Sequence, residues 1–143
     1  MKKMKKITGI LLLWVSISGY SQVADSIAIK QTLLDYVEGY YTADWQRVSR
    51  AVHPELVKRI IIQDSSGLNA INSMGASTLI LGAKRNKKPE GGTLFKADIS
   101  IYDIFKNTAL AKVETNRFPF IDYAQLGKIN GEWKIINVLW AMR

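Results

Sequence analysis

The stretch "IDYAQLGKINGEWKIINVLW", residues 121–140, carries the strongest hairpin signal in the chain. Asn130 and Gly131 separate two runs of strand-like composition, and both residue types tolerate the positive φ that a two-residue hairpin loop requires. Such a loop places Ile129 opposite Glu132, and the remaining pairs follow in step along the two strands. The C-terminal end of the chain is therefore predicted to be an antiparallel β-hairpin.

The same register places a carboxylate on a mostly apolar sheet face. It puts Ala124 opposite Asn137 and Asp122 opposite Leu139. Asp122 and Asn137 then share a face with five apolar residues, namely Phe120, Leu126, Trp133, Ile135 and Leu139. Because an unpaired buried carboxylate costs several kcal/mol, two interpretations follow. Asp122 and Asn137 either line a small-molecule pocket, or Asp122 fixes the strand register through hydrogen bonds to the backbone or to Asn137.

The residues before the hairpin predict two more strands. "FKADISIYDIF", residues 95–105, and "TALAKVET", residues 108–115, alternate apolar and polar side chains. Short connections between successive strands are typical of an antiparallel meander.

The N-terminal half predicts helices. Apolar residues recur at helical spacing from Asp25 to Tyr41, with Asp25 or Ser26 as the expected N-cap. Asp44 is expected to cap a short second helix that ends near His53, because a proline follows. Another helical turn or two is expected over residues 55–59, before a β-branched run, and residues 73–84 fit a helix or a buried strand. Helices first and a strand meander last predict an α+β domain.

The first 21 residues have the pattern of a secretory signal peptide. "MKKMKKITGILLLWVSISGYSQ" begins with four lysines, continues through an apolar run at residues 7–17, and ends with small residues at the −3 and −1 positions of a cleavage site after Ser21. The alternative is an N-terminal membrane anchor, but the apolar run is shorter than the roughly 20 residues that span a bilayer. We expect a single mature domain, residues 22–143, in the periplasm or outside the cell.

Composition excludes several function classes. Residues 1–21 contain four of the 20 Lys and Arg residues and none of the 12 Asp and Glu residues, so cleavage lowers the net charge from +8 to +4. This ordinary charge argues against a nucleic-acid partner. The chain has no cysteine and a single histidine, so we expect no metal site, no thiol nucleophile and no lipid-modified cysteine as a stable membrane anchor. The glycines match no nucleotide-binding loop, and we expect no cofactor.

Three segments in combination carry a family resemblance: "YYTADW" at residues 40–45, "HPELVKR" at 53–59 and "DYAQLGKINGEWKI" at 122–135. With "TALAKVE" at residues 108–114, they resemble the putative lumazine-binding family of small bacterial proteins, within the nuclear transport factor 2-like superfamily. The resemblance implies a cone, in which a long helix and two shorter ones close the concave side of a strongly bent antiparallel sheet, usually in a dimer. The superfamily includes isomerases, dehydratases, transport factors and non-catalytic subunits, so the fold alone does not select a function.

The candidate ligand-binding residues are those that such a cone would gather around its cavity: Tyr40, Tyr41, Trp45, His53, Asp122 and Asn137. The aromatic residues, which lie with Tyr36 near the end of the first helix, line the cavity mouth or belong to the core. His53 either exchanges a proton with the help of Asp122 or packs against a helix end. Lys58 and Arg59 form an anion clamp or a solvated pair.

Three functions remain open. The first is a secreted protein that binds a small, largely apolar or aromatic molecule. The second is a proton-transfer enzyme of the isomerase or dehydratase type, with His53 and Asp122 as catalytic residues. The third is a non-catalytic protein-interaction module. In each case we expect a homodimer through the outer sheet face, which by the hairpin register carries Ile121, Tyr123, Gln125, Ile136, Val138 and Trp140.

Overall fold

The computed structural model describes residues 7–89 and 94–143, with side chains from Ser21 onward. The helices are α1 (Ile7–Tyr41), α2 (Trp45–Ala51) and α3 (Ala76–Arg85). The strands are β1 (Val52–Gln63), β2 (Asn69–Gly75), β3 (Ala97–Phe105), β4 (Thr108–Thr115), β5 (Phe120–Ile129) and β6 (Glu132–Met142).

The strands form one six-stranded sheet in the order β2-β1-β6-β5-β4-β3. The predicted meander of β3, β4, β5 and β6 is confirmed, with antiparallel neighbours throughout. The sheet as a whole is mixed, because β1 pairs with β6 in parallel. The helices pack against the inner face of the sheet and enclose the core with it, so the α+β class is confirmed.

The hairpin turn is the predicted one. Asn130 and Gly131 both have positive φ, at 52° and 85°, and Ile129 lies opposite Glu132. The predicted pairing continues as far as Leu126 opposite Ile135.

A β-bulge then changes the register. Gln125 pairs with Asn137, which leaves Ile136 as the extra residue. From this point Ala124 lies opposite Val138 and Asp122 opposite Trp140. The prediction that Asp122 and Asn137 share a face was therefore wrong, because one inserted residue moves every later side chain of β6 to the other face. Val138 and Trp140 lie on the inner face, whereas Leu139, predicted to be internal, is 51% exposed.

A glycine makes room for this bulge. A Cβ atom built on Gly127 would lie 2.5 Å from Cδ1 of Ile136. The side chain of the extra residue thus occupies the space that any other residue at position 127 would fill. The bulge also increases the local twist and bend of the strand, which suits a sheet that curves around a core.

Three predictions about the N-terminal half need correction. Asp25 and Ser26 are not an N-cap in the described chain, because α1 already begins at Ile7. Residues 55–59 are not helical turns but the middle of β1, where Leu56 and Lys58 alternate inward. Arg59 points to the other face, so Lys58 and Arg59 are neither a clamp nor a solvated pair.

Other parts of that half agree with the sequence. Asp44 caps α2 by accepting a hydrogen bond from the backbone N–H of Arg47 at 3.1 Å, as predicted. Residues 73–84, which fitted either a helix or a strand, divide into the end of β2 and most of α3. The predicted cleavage site after Ser21 lies within α1. Among the described residues, no helix is both long enough and apolar enough to cross a membrane.

Candidate functional site

A buried network of three polar side chains crosses the interior between helix and sheet. The Lys58 ammonium donates to Asp122 Oδ1 and to the Tyr36 hydroxyl, in both cases at 2.6 Å. Tyr36 donates its own hydroxyl hydrogen to Asp122 Oδ2 at 2.8 Å. Asp122 is 0% exposed and Lys58 is 5% exposed. Each of the three groups therefore has two of its hydrogen bonds inside the network.

The periodicity of each element turns these three side chains towards the interior. Tyr36 lies on the buried stripe of α1, which also contains Ile29, Leu33 and Val37. Lys58 follows Leu56 by two residues on β1, and Asp122 precedes Ala124 by two on β5, so each shares the inward face of its strand. The network thus joins α1, β1 and β5, which are distant in sequence.

Three aromatic rings and a carboxylate surround the Lys58 ammonium. Nζ of Lys58 lies 5.0 Å from the ring centroids of Phe120 and of Trp140, and 5.4 Å from that of Tyr36. Such contacts with aromatic faces stabilise a positive charge that has been removed from water. Burial lowers the pKa of Lys58, and the Asp122 carboxylate opposes that shift. Burial and the same carboxylate raise the pKa of the Tyr36 hydroxyl well above its ordinary value.

A partly open cavity of about 140 Å³ lies against this network. Its wall is aromatic and aliphatic, and Lys58 is the one charged residue among the described residues that form it. The lining consists of Tyr36, Val37, Tyr40, Lys58, Met74, Leu79, Phe118, Phe120 and Trp140. Phe118 and Phe120 stack with their centroids 5.1 Å apart, and Trp140 meets Phe120 edge to face at 5.4 Å. The site is an apolar cavity with a single ammonium group in its wall.

The sequence-predicted aromatic residues divide between cavity and scaffold. Tyr40 lines the cavity. Tyr41 stacks on Phe95 at 5.1 Å instead, and Trp45 lies under the ammonium of Lys84 at 5.4 Å. Neither of these two is part of the wall.

The predicted polar residues also separate. Asp122 does not line the cavity. It contacts Lys58, which does, so Asp122 would act on a ligand through the Lys58 ammonium. His53 is half-buried at the start of β1, where its Nδ1 accepts the backbone N–H of Glu55 at 3.2 Å. Asn137 lies on the outer face and donates to Gln125 at 3.3 Å. The structure brings neither His53 nor Asn137 to Asp122.

Lys58 and Tyr36 were not among the predicted ligand-binding residues, since Lys58 was expected in an anion clamp or a solvated pair and Tyr36 in the aromatic group of the first helix. Lys58 follows Leu56 at the spacing of one strand face, but residues 55–59 were predicted to form a helical turn or two. Trp140 was placed on the outer face because no local signal marks the bulge at Ile136. Phe118 precedes β5 and had no predicted element.

Comparison with protein families identifies the chain. Residues 24–141 match the family described as "putative lumazine-binding". The chain belongs to this family. Comparison with proteins of curated function found no match.

Solved structures with a similar fold include nuclear transport factor 2-like proteins. A protein of unknown function from Shewanella baltica OS155 is 21% identical with a TM-score of 0.67, over 85% of this chain and 95% of that one. Another from Methylobacillus flagellatus KT is 24% identical with a TM-score of 0.67, over 85% and 94%. A "putative scytalone dehydratase" from Novosphingobium aromaticivorans DSM 12444 is 12% identical with a TM-score of 0.58, over 87% and 88%. At these identities the likeness establishes the nuclear transport factor 2-like fold.

Proposed function

We propose that this member of the putative lumazine-binding family binds a small aromatic or largely apolar molecule in the cavity beside Lys58. The observation that carries the proposal is the composition of the wall, in which one ammonium group is set among aromatic and aliphatic side chains. Ligand pockets typically combine a predominantly apolar lining with a few placed polar groups that fix orientation.

The network determines which polar group the ligand should carry. An ammonium has three N–H donors, and Lys58 uses two of them on Tyr36 and Asp122. One donor remains for the cavity. Because Lys58 and Asp122 form a neutral ion pair overall, the ligand that fits best is uncharged and has one acceptor atom, such as a carbonyl or phenol oxygen.

The cavity volume limits the ligand's size. At about 140 Å³, it is close to the roughly 150 Å³ of an engineered cavity in another protein that takes up benzene. A single six-membered ring therefore fills it, and a larger molecule would extend through the open side.

A pair of simple ligands tests the proposal. We expect phenol and toluene both to bind to the wild-type protein, as measured by isothermal titration calorimetry or by the shift of the Trp140 indole resonance in NMR. In the double variant Lys58→Met/Asp122→Asn, which removes both charges together, phenol affinity should fall by roughly 10- to 150-fold, since a hydrogen bond to a charged group contributes about 1.5–3 kcal/mol. Toluene affinity should change little.

Lys84→Met is the matched control, since it removes an exposed lysine outside the cavity wall. If neither phenol nor toluene binds measurably to the wild-type protein, the proposal is overturned. Native mass spectrometry of protein purified from its own host would identify the class of a retained natural ligand.

The two alternative functions have less support. Proton transfer by His53 and Asp122 requires both groups at the reacting molecule, and His53 does not line the cavity. If the protein moves protons at all, Lys58 and Tyr36 are the groups in position. A pure interaction module would not need a cavity with a charged group in its wall.

We further propose that the protein acts in the periplasm or outside the cell, after loss of residues 1–21. The support is the order of lysines, apolar run and small residues in that segment. N-terminal sequencing of protein from its own host should give Gln22 as the first residue. Material that retains residues 7–17 would overturn this proposal.

A further inference from the structure

We propose that Lys58 forms a reversible imine with an aldehyde or ketone group of the cavity ligand. The inference rests on the proposed function, and it narrows the ligand class from hydrogen-bond acceptors in general to carbonyl compounds. It starts from an arrangement of groups: a lysine nitrogen on the wall of an apolar cavity, with a carboxylate and a phenol in contact with it.

The site already pairs the positive charge that an imine would carry. A protonated imine keeps one positive charge on the same nitrogen atom. At that point the Asp122 carboxylate is 2.6 Å away, and three aromatic rings lie within 5.4 Å of Nζ. The same rings would contact the iminium, and its single N–H would donate to Asp122.

The neighbouring groups can move the required protons. Of the three ammonium protons, one stays on nitrogen and two leave with the carbonyl oxygen as water. Asp122 accepts a proton from Lys58, and the free amine attacks the carbonyl carbon. The carbonyl oxygen takes a proton from Tyr36, which regains one from Asp122 along their hydrogen bond. The nitrogen then transfers its second proton to the same oxygen, the C–O bond breaks, and water leaves an iminium paired with the ionised Asp122. Atoms and charge balance, and no oxidant or reductant is needed.

Burial distinguishes Lys58 from the exposed lysines. An imine requires the unprotonated amine as nucleophile, and burial lowers the pKa of Lys58. Lysines desolvated in apolar pockets are the ones used for this chemistry.

The experiment traps the imine in the wild-type protein. Protein is incubated at neutral pH with benzaldehyde and sodium cyanoborohydride, which reduces the iminium to a stable benzylamine, and modified lysines are mapped by peptide mass spectrometry. We expect Lys58 to be benzylated at least tenfold faster than Lys84 or Lys134, both of which are solvent-accessible. Toluene, which has no carbonyl group, should slow the reaction at Lys58 and leave Lys84 unaffected.

The outcomes are distinguishable. If toluene and phenol bind but Lys58 reacts no faster than Lys84, the imine is overturned and the proposed binding function stands. If neither compound binds and Lys58 is unreactive, both proposals fall. Rapid reaction at Lys58 without protection by toluene would also overturn the inference, because the cavity would then have no part in it. In Lys58→Arg only the fast adduct should be lost. If that variant does not fold, protection of Lys58 by toluene in the wild-type protein still decides whether the reaction takes place in the cavity.

Discussion

Asp122 is the counter-ion of a buried lysine. Both of its oxygens are used, Oδ1 by Lys58 and Oδ2 by Tyr36. The presence of a carboxylate on the apolar face therefore follows from the need to pair one ammonium group, because an uncompensated buried charge costs several kcal/mol. Asp122 supports the cavity through Lys58 without lining it.

Replacing this carboxylate should destabilise the fold. In Asp122→Asn the side chain keeps its shape but loses the charge that Lys58 and Tyr36 contact, so the free energy of unfolding should fall by about 1.5–3 kcal/mol. Chemical denaturation measures this change. The control is Asp98→Asn, since Asp98 is exposed on β3, and it should shift stability by less than about 0.5 kcal/mol. Equal effects of the two substitutions would contradict the network.

Tyr36 should ionise at a higher pH than a free phenol. Burial and the Asp122 carboxylate raise its pKa well above the ordinary value, so its phenol should stay protonated at a pH where exposed phenols, with a pKa of about 10, have ionised. The associated stability is fully present below about pH 10 and is lost as the pH rises through the folded pKa. An alkaline absorbance titration of tyrosinate should show a late component.

Two variants assign that late component. Tyr36→Phe should remove it, whereas Tyr102→Phe, at an exposed position on β3, should leave it unchanged. A late component that persists in Tyr36→Phe would contradict the assignment.

Among the helices and strands, the sequence predicted the features that depend on residues close together in the chain. The Asn130–Gly131 turn, the Asp44 cap and the β3–β4–β5–β6 meander follow from residues close together in sequence. The parallel pairing of β1 with β6 does not, because its partners are some 80 positions apart in the register. No local sequence signal predicted the bulge at Ile136 either, since the bulge depends on how that side chain packs against Gly127.

This dependence predicts the effect of filling the space at Gly127. Gly127→Ala would place a Cβ atom 2.5 Å from Cδ1 of Ile136, and overpacking of this kind typically costs about 1–3 kcal/mol of stability. The double variant Gly127→Ala/Ile136→Ala removes the clashing atom, so the two substitutions should be strongly non-additive in a double-mutant cycle. Denaturant unfolding of the four proteins gives the coupling energy. Additive effects would show that the contact between these two residues does not hold the bulge.

At the scale of the molecule, the bulge gives the two faces of the sheet different compositions. It turns Val138 and Trp140 inward, to the core and the cavity, and leaves Leu139 on the outer face beside Tyr123. The outer face predicted from the register therefore needs revision. Its exposed apolar residues are Leu110, Tyr123 and Leu139, with Ile61 and Ile71 towards the edge formed by β2.

We propose that this revised outer face forms a two-fold interface between copies of the chain, since soluble monomers rarely expose an apolar patch of this kind. Leu139→Arg is the sharpest test, because it adds a second cation beside Arg59, and neither sheet neighbour of Leu139, Arg59 or Tyr123, has a carboxylate. We expect a dimer for the wild-type protein in sedimentation equilibrium and a dissociation constant at least about a hundredfold higher for the variant, which corresponds to about 2.7 kcal/mol. Leu68→Arg adds the same charge at a residue that is 68% exposed in the β1–β2 turn, and it should remain dimeric. A monomeric wild-type protein at tens of micromolar, or equal weakening by both substitutions, would overturn this interface.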